Sequence, residues 1–428
     1  MVTVLPTVEA TEADEKPAVS NSFIAIYVLA QFGIWLALLT PVVLTIALRV
    51  GEIAGEADKG RSLGTVLAIG AFFAVVSAPI WGALSDRTRS RFGRRRPWLV
   101  GGLVCSGIGL AILGSAQSIW MLGIGWLLCQ ASFNAMQAAI MAILPDVVPS
   151  RQQGRVSGLL GMTTTAGVFT GTWLTQYTQA SSMLMFLAPY AVTVVTVMTL
   201  VMVLRDTPLE GPTPPMHERG VGRLLASMIT PFRDADFNWA FVSRFLIMLA
   251  WFFLLTYQLF FLTDRLGLDR AAALGVMVKS SAVIAVATVS MSVVGGVLSD
   301  LIGRRKPIVF AAAAIEGIGF LLIATTGTID QFLVGVAVAS LGKGLYFGVD
   351  LALVAAILPS RKDAAKDLGI FQMANSMPQS IAPGVAPILL AVGATAAAGG
   401  GNYPVLYAAA ALCSIIGAAA ILPVKRSR

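Results

Sequence analysis

The sequence predicts an all-α integral membrane protein, with twelve transmembrane helices arranged as two pseudo-symmetric six-helix bundles. Three observations predict it. Hydrophobic residues make up 57% of the 428 residues and charged ones only 12%, too few ionic groups to cover a water-facing surface, where about a quarter is usual. Apolar runs of the length a helix needs to cross the bilayer, about 20 residues for about 30 Å of hydrocarbon, recur along the chain and leave room for roughly twelve spans. Finally, Gly82, Leu84, Ser85 and Asp86 recur as Gly296, Leu298, Ser299 and Asp300 at a constant offset of 214 residues, half the chain, and Ala142-Ile143-Leu144-Pro145 recurs as Ala356-Ile357-Leu358-Pro359 at the same offset. A shared offset at two anchors marks an internal repeat. The apolar runs do not alternate, which excludes a membrane β-barrel.

Residues 1 to 22 are polar and acidic, with Glu9, Glu12, Asp14 and Glu15, and lack the basic start and cleavage site of a signal peptide; they are expected to form a disordered cytoplasmic tail. Spans are expected near 23 to 48, 62 to 84, 98 to 116, 119 to 143, 156 to 177 and 183 to 204, which make the first bundle, 23 to 204. A charged, proline-containing linker, 205 to 238, follows. Spans near 239 to 262, 272 to 298, 308 to 326, 330 to 357, 368 to 393 and 404 to 424 make the second bundle, 239 to 424, before a tail of 425 to 428.

Lysine and arginine set the orientation. With both termini cytoplasmic, the inside segments hold 22 of the 30 basic residues, and six of these are the arginines between Arg87 and Arg96. Basic residues collect on the cytoplasmic side of membrane proteins, so a multi-pass protein of the cell (inner) membrane is expected. The net charge of +8 is explained by this topology; no aromatic platform is interleaved with the basic residues, so nucleic acid is not an expected partner. Cys105, Cys129 and Cys413 lie in apolar spans and His217 stands alone in a polar loop, so neither a disulfide framework nor a metal site is expected, and no cofactor. No nucleophile set or phosphate loop stands out, and an enzyme is not expected.

Two six-helix repeats, each with a basic motif in its second loop, resemble the major facilitator superfamily over the whole chain. The motif residues are Gly82, Asp86, Arg87, Gly93, Arg94 and Arg95 in the first half and Asp300, Arg304 and Arg305 in the second. Within that superfamily, SDRTRSRFGRRRPW and PDVVPSRQQGRVSG resemble the sucrose:proton symporters, their animal relatives and the glycoside-pentoside-hexuronide:cation symporters. The resemblance implies a monomeric secondary transporter that moves a small glycoside or sugar by alternating access, with a proton. It implies a cavity between the halves lined by helices 1, 4, 7 and 10. It also implies that Asp86 latches the halves against helix 11 when the transporter is open to the outside, a place where the dipole of that helix favours an acid.

Those four spans carry polar residues at helical spacing. Gln31 and Trp35 are four apart in span 1; Gln130, Asn134 and Gln137 share one face of span 4; Trp251, Tyr257 and Gln258 lie in span 7. Amides around an aromatic face suit a carbohydrate. The competing reading is interhelical glue and interfacial aromatics. In span 10, Lys343, Tyr346 and Asp350 share one face, with the two charges about 10 Å apart along the axis. Asp350 is the first expected proton-coupling acid, with Lys343 a substrate or counter-charge residue, and Glu316 in span 9 is the second acid; a structural network of Arg244, Lys279, Glu316 and Asp350 is the alternative. Span 11 adds Gln372, Asn375 and Gln379, interrupted by Pro378, Pro383 and Pro387. The first half has no acid inside its spans, a departure from the sodium-coupled and sucrose-type members. A proton-coupled drug or metabolite exporter is the second reading, weakened because GLLGMTTTAGVFTGTWL in span 5 has glycines but no proline; a non-transporting membrane sensor is the third.

Overall fold

Each apolar run becomes one long helix, because a backbone in hydrocarbon must satisfy its own hydrogen bonds. The computed structural model describes residues 17–55, 58–206, 230–302, 304–357, 364–393 and 401–425. Among them are α1 (Asn21–Ile53), α2 (Lys59–Arg87), α3 (Arg96–Ser115), α4 (Ile119–Val147), α5 (Ser150–Thr178) and α6 (Ser182–Val203). The second set is α7 (Ala235–Arg265), α8 (Arg270–Ile302), α9 (Lys306–Thr325), α10 (Ile329–Ile357), α11 (Ala364–Ala391) and α12 (Tyr403–Ala420). Nine helices among the described residues are long and apolar enough to cross a membrane; α2, α5 and α11, of 29, 29 and 28 residues, complete the set.

Helix starts follow local chemistry. Ser20, Ser118, Ser181, Asp234 and Asn402 each accept a backbone N–H of the first turn, the usual way to satisfy an orphan donor. Pro97, Pro307 and Pro404 sit in the first turns of α3, α9 and α12, where no N–H is needed. Helix α7 begins at Ala235, four residues before the expected boundary, because the Asp234 cap lies there and Phe237 is packed in the core.

The packing repeats between halves. In the first half α1 packs on α5 and α6, α4 on α2 and α3, and α3 on α6; in the second, α7 packs on α11 and α12, α10 on α8 and α9, and α9 on α12. The halves meet where α2 lies along α11 and α5 along α8. Close approach at the α3–α4 and α9–α10 crossings depends on glycine: Gly109 faces Gly125 and Cys129, and Gly319 faces Gly335 and Ala339. These pairs, like the helix starts Arg96 and Lys306, stand 210 positions apart. The motif offset of 214 therefore shortens by four across the second loop, which has four fewer residues. Ala356 and Ile357, which match Ala142 and Ile143 at 214, lie one turn out of that structural register.

Candidate functional site

The arginine loop is held rigidly on its own half. Gly93 has φ +99°, with Asp206 against the space a Cβ would fill, and Asp206 accepts the backbone N–H groups of Arg95 (2.6 Å) and Arg96 (2.9 Å). Buried Arg95 reaches Asp146 through Nε (2.9 Å) and Ser85 Oγ (2.7 Å), and Arg94 also pairs with Asp146 (3.5 Å). The Arg96 guanidinium donates to the Leu204 carbonyl, and Trp98 Nε1 to Thr88 Oγ1 (2.6 Å). In the second motif Arg304 is exposed and Arg305 half-buried at the start of α9. The surroundings of the motif residue Gly82 and the side chains of Asp86, the expected latch, Arg87 and Asp300 lie outside the described residues.

At the opposite end the halves are fastened together. Lys59 at the start of α2 pairs with Asp264 at the end of α7 at 2.5 Å, with side chains 8% and 4% exposed. Asp264 also accepts from Tyr403 (2.7 Å) and Thr263 (2.8 Å). Glu52 at the end of α1 accepts from Arg270 of α8 (2.5 Å) and from Arg49 (2.6 Å). Deeper in, Thr172 of α5 meets Ser281 of α8 at 3.1 Å. Tyr257 donates to the carbonyls of Pro383 and Gly60, both 3.2 Å away. This tyrosine, an expected solute contact, thus joins α7 to α11 and α2. The conformer is closed at the end away from the arginine loop.

Between the ends, α1, α4, α7 and α10 present the expected polar residues, and α7 and α10 touch only sparsely. Gln31 is fully buried and neither amide atom has a hydrogen-bond partner among the described residues; Gln137 Oε1 and Gln258 Nε2 are in the same state. Tyr27 reaches the Ile140 carbonyl at 2.8 Å, so antiparallel α1 and α4 place Gln31 and Gln137 at the same level, one turn further in. Gln130 and Asn134 instead satisfy each other, through Asn134 Nδ2 to the Gln130 carbonyl (2.7 Å) and Oε1 (3.2 Å). Trp35 is half-buried against Gly167 of α5. Gln379 is half-buried on α11, and the Gln372 side chain lies outside the described residues.

The second half contributes a buried charge cluster. Arg244 of α7 pairs with Asp350 of α10 at 3.1 Å, both almost fully buried; its Nε reaches Asn375 Oδ1 (3.4 Å) and its guanidinium lies 5.0 Å from the Phe371 ring centre. Tyr346 lies against Asp350. Asn375, also an expected solute contact, is therefore committed to this cluster. Lys343 lies against Met248 Sδ (2.9 Å) and over the rings of Trp251 (5.3 Å) and Phe347 (5.2 Å). Glu316 is fully buried beneath the α9–α10 crossing, with Ser414 Oγ at 3.5 Å from one oxygen and no partner for the other among the described residues. Lys279, part of the alternative network, is exposed.

The family model of the Major Facilitator Superfamily matches residues 23–289 and 280–428. The chain belongs to the Major Facilitator Superfamily. It is a multi-pass membrane protein of that family. An uncharacterized symporter of Synechocystis sp. is 58% identical over 41 residues, 10% of this chain and 8% of that one. The class B tetracycline resistance protein of Escherichia coli is 28% identical over 152 residues, 36% of each chain. The chain thus covers well under two thirds of either curated relative. Solved structures agree over nearly the whole fold: the nucleoside transporter NupG has a TM-score of 0.74 at 14% identity, covering 94% of this chain and 99% of that one. The D-xylose-proton symporter has 0.71 at 15%, covering 95% and 98%.

Sequence reasoning missed Met248, Phe371 and Ser414, apolar or small residues whose role exists only in three dimensions. It also missed the Lys59–Asp264 and Glu52–Arg270 pairs. Their signal was present as acids in the loops expected to face outward, beside basic residues used only to set topology.

Proposed function

We propose that this transporter moves a small hydroxyl-rich solute, a sugar or glycoside, by alternating access with a proton, as a member of the sucrose and glycoside-pentoside-hexuronide symporter branch. Both termini are cytoplasmic in this reading, so the fastened end faces outward. The observation that carries it is Gln31, a fully buried amide with both polar atoms unpartnered. Such groups cost free energy unless a ligand or water satisfies them, and Gln137 stands at the same level. Trp251 of α7 supplies an apolar ring face. The printed names of the D-xylose-proton symporter and the Synechocystis symporter are consistent with it.

In this reading the two candidate coupling acids change places. Each acid has one oxygen without a hydrogen-bond partner among the described residues, but Asp350 is paired with Arg244, whereas Glu316 has no ion pair among them. A carboxyl free of an ion pair exchanges a proton without stranding a buried cation. Glu316 is thus the coupling acid in this reading, and Asp350 holds the cluster together. The printed name of the tetracycline resistance relatives, which points to a drug, keeps a drug or metabolite exporter as the second reading.

Reconstitution in liposomes tests both. Labelled sucrose, maltose, xylose and a drug panel are offered with and without an inward proton gradient. Gradient-driven accumulation of a sugar is expected, and Glu316→Gln should retain exchange while losing the response to the gradient. Transport of drugs but no sugar would transfer the assignment to export, and uptake indifferent to the gradient would remove the proton.

A further inference from the structure

A recess of about 280 Å³ lies between the start of α2 and the start of α4, at the fastened end and away from the central amides. Exposed Asp58 and Arg61 and half-buried Ser62 form its polar side, and Val66, Ile69 and Ile119 its apolar side. Gly123 leaves the space open, since an added Cβ would meet only Ile69, at 3.9 Å. Further in the two helices close, because an added Cβ at Gly70 would run into the Trp126 ring. Trp120, also on the recess, is 77% exposed, and Ile124 one turn along α4 is 63% exposed. An exposed tryptophan at the end of a span, followed by an exposed isoleucine, marks the level where lipid headgroups meet hydrocarbon. The charges at this level are uncommitted. Asp58 immediately precedes α2, yet its carboxylate caps no backbone N–H. Among the described residues neither Asp58 nor Arg61 has an ion-pair partner, while the neighbouring Lys59, Glu52 and Arg270 are taken up in the pairs that fasten the halves.

We infer that this recess binds the headgroup of a membrane phospholipid that carries both a phosphate and a primary ammonium, a phosphatidylethanolamine. Arg61 donates to the phosphate, with the Ser62 hydroxyl beside it, and Asp58 accepts from the ammonium; charge-assisted hydrogen bonds of both kinds are the stronger ones. One cation and one anion three positions apart match a zwitterion. An anionic headgroup would set its phosphate near Asp58 with no ammonium to offset the repulsion. A choline headgroup has the right charges but no N–H for Asp58 to accept. The volume stands at the lower edge of small-molecule sites, about 300 Å³, so it takes a headgroup and not a whole lipid. The acyl chains leave over Trp120 and Ile124, the exposed apolar surface beside the recess, and that surface selects a lipid over a soluble phosphate ester. The site is independent of which solute the protein carries.

The test is native mass spectrometry of the full-length, delipidated protein in detergent, given an equimolar mixture of dioleoyl phosphatidylethanolamine, phosphatidylcholine and phosphatidylglycerol. Exposed charge pairs contribute modestly, so the ethanolamine lipid should be retained about two- to fivefold over the other two. Asp58→Asn leaves Arg61 alone and should pass the preference to phosphatidylglycerol. Gly123→Leu, which fills the recess, should bring the three lipids close to equal occupancy. Ratios are read within each variant, so folding yield does not enter. Lipids held by the arginine loop contribute equally to every variant, so the differences between variants report the recess. Three lipids retained alike by the wild type overturn the site, as does an ethanolamine-to-glycerol ratio unchanged in Asp58→Asn. A preference that survives Gly123→Leu places it elsewhere on the protein and overturns the site too. Glycerophosphoethanolamine, the same headgroup without acyl chains, is added as a competitor; displacement of the lipid at equal concentration would give the recess to a soluble phosphate ester and overturn the lipid assignment.

Discussion

At the scale of single residues, Arg244 and Asp350 make one ion pair with almost no solvent around it. Removing one partner of a buried pair costs about 3–5 kcal/mol, because the other charge is left stranded, whereas replacing both by apolar groups of similar volume is often close to neutral. Asp350→Asn should therefore lower thermal stability in detergent, and Arg244→Met combined with Asp350→Leu should recover most of the loss. A double variant no more stable than Asp350→Asn would contradict the pairing. This pair also shows where sequence reading stops. Periodicity places Lys343, Tyr346 and Asp350 on one face of a helix, but which cation Asp350 meets depends on how α7 lies against α10, and that is set by packing over the whole half. Glu316 looked peripheral by helix number alone; Gly342, whose added Cβ would meet the Glu316 backbone, is what brings α10 over it.

At the scale of helices, the glycine pairs at the α3–α4 and α9–α10 crossings set the interaxial distance. A Cβ at Gly319 would run into the backbone of Ala339, and one at Gly109 would meet Cys129 and Gly125. Small residues at such crossings are the means by which membrane helices approach closely. Gly319→Val and Gly109→Val should each reduce the yield of folded protein, read as the monodisperse fraction after extraction. Substitution to alanine at Gly123, where an added Cβ would meet only Ile69 at 3.9 Å, should change it little. Helix number, length and order were legible in the sequence to within a few residues, because hydrocarbon thickness fixes how long an apolar run must be. The starts were less so: Ser150 opens α5 six residues before the expected span, since polar residues beyond the hydrocarbon continue the helix.

At the scale of the whole molecule, the two halves are fastened by Lys59–Asp264 with Tyr403 and by Glu52–Arg270, at the end away from the arginine loop. Asp264→Asn should loosen that end. Gly60 has open space around an added Cβ, with only Leu390 at 3.8 Å, so Gly60→Cys is a reporter, used with Cys105 replaced by serine. Its labelling by a membrane-impermeant maleimide should rise several-fold in Asp264→Asn; an unchanged rate would mean that the ion pair is not part of the closure. The central claim is that solute binds between the halves at the unpartnered amide of Gln31, and this separates from a structural role in one paired measurement on Gln31→Leu. A site for solute predicts a half-saturation concentration for the transported solute raised about tenfold or more, with thermal stability unchanged or higher, because an unsatisfied buried amide has been removed. Lower stability with an unchanged half-saturation concentration would contradict it.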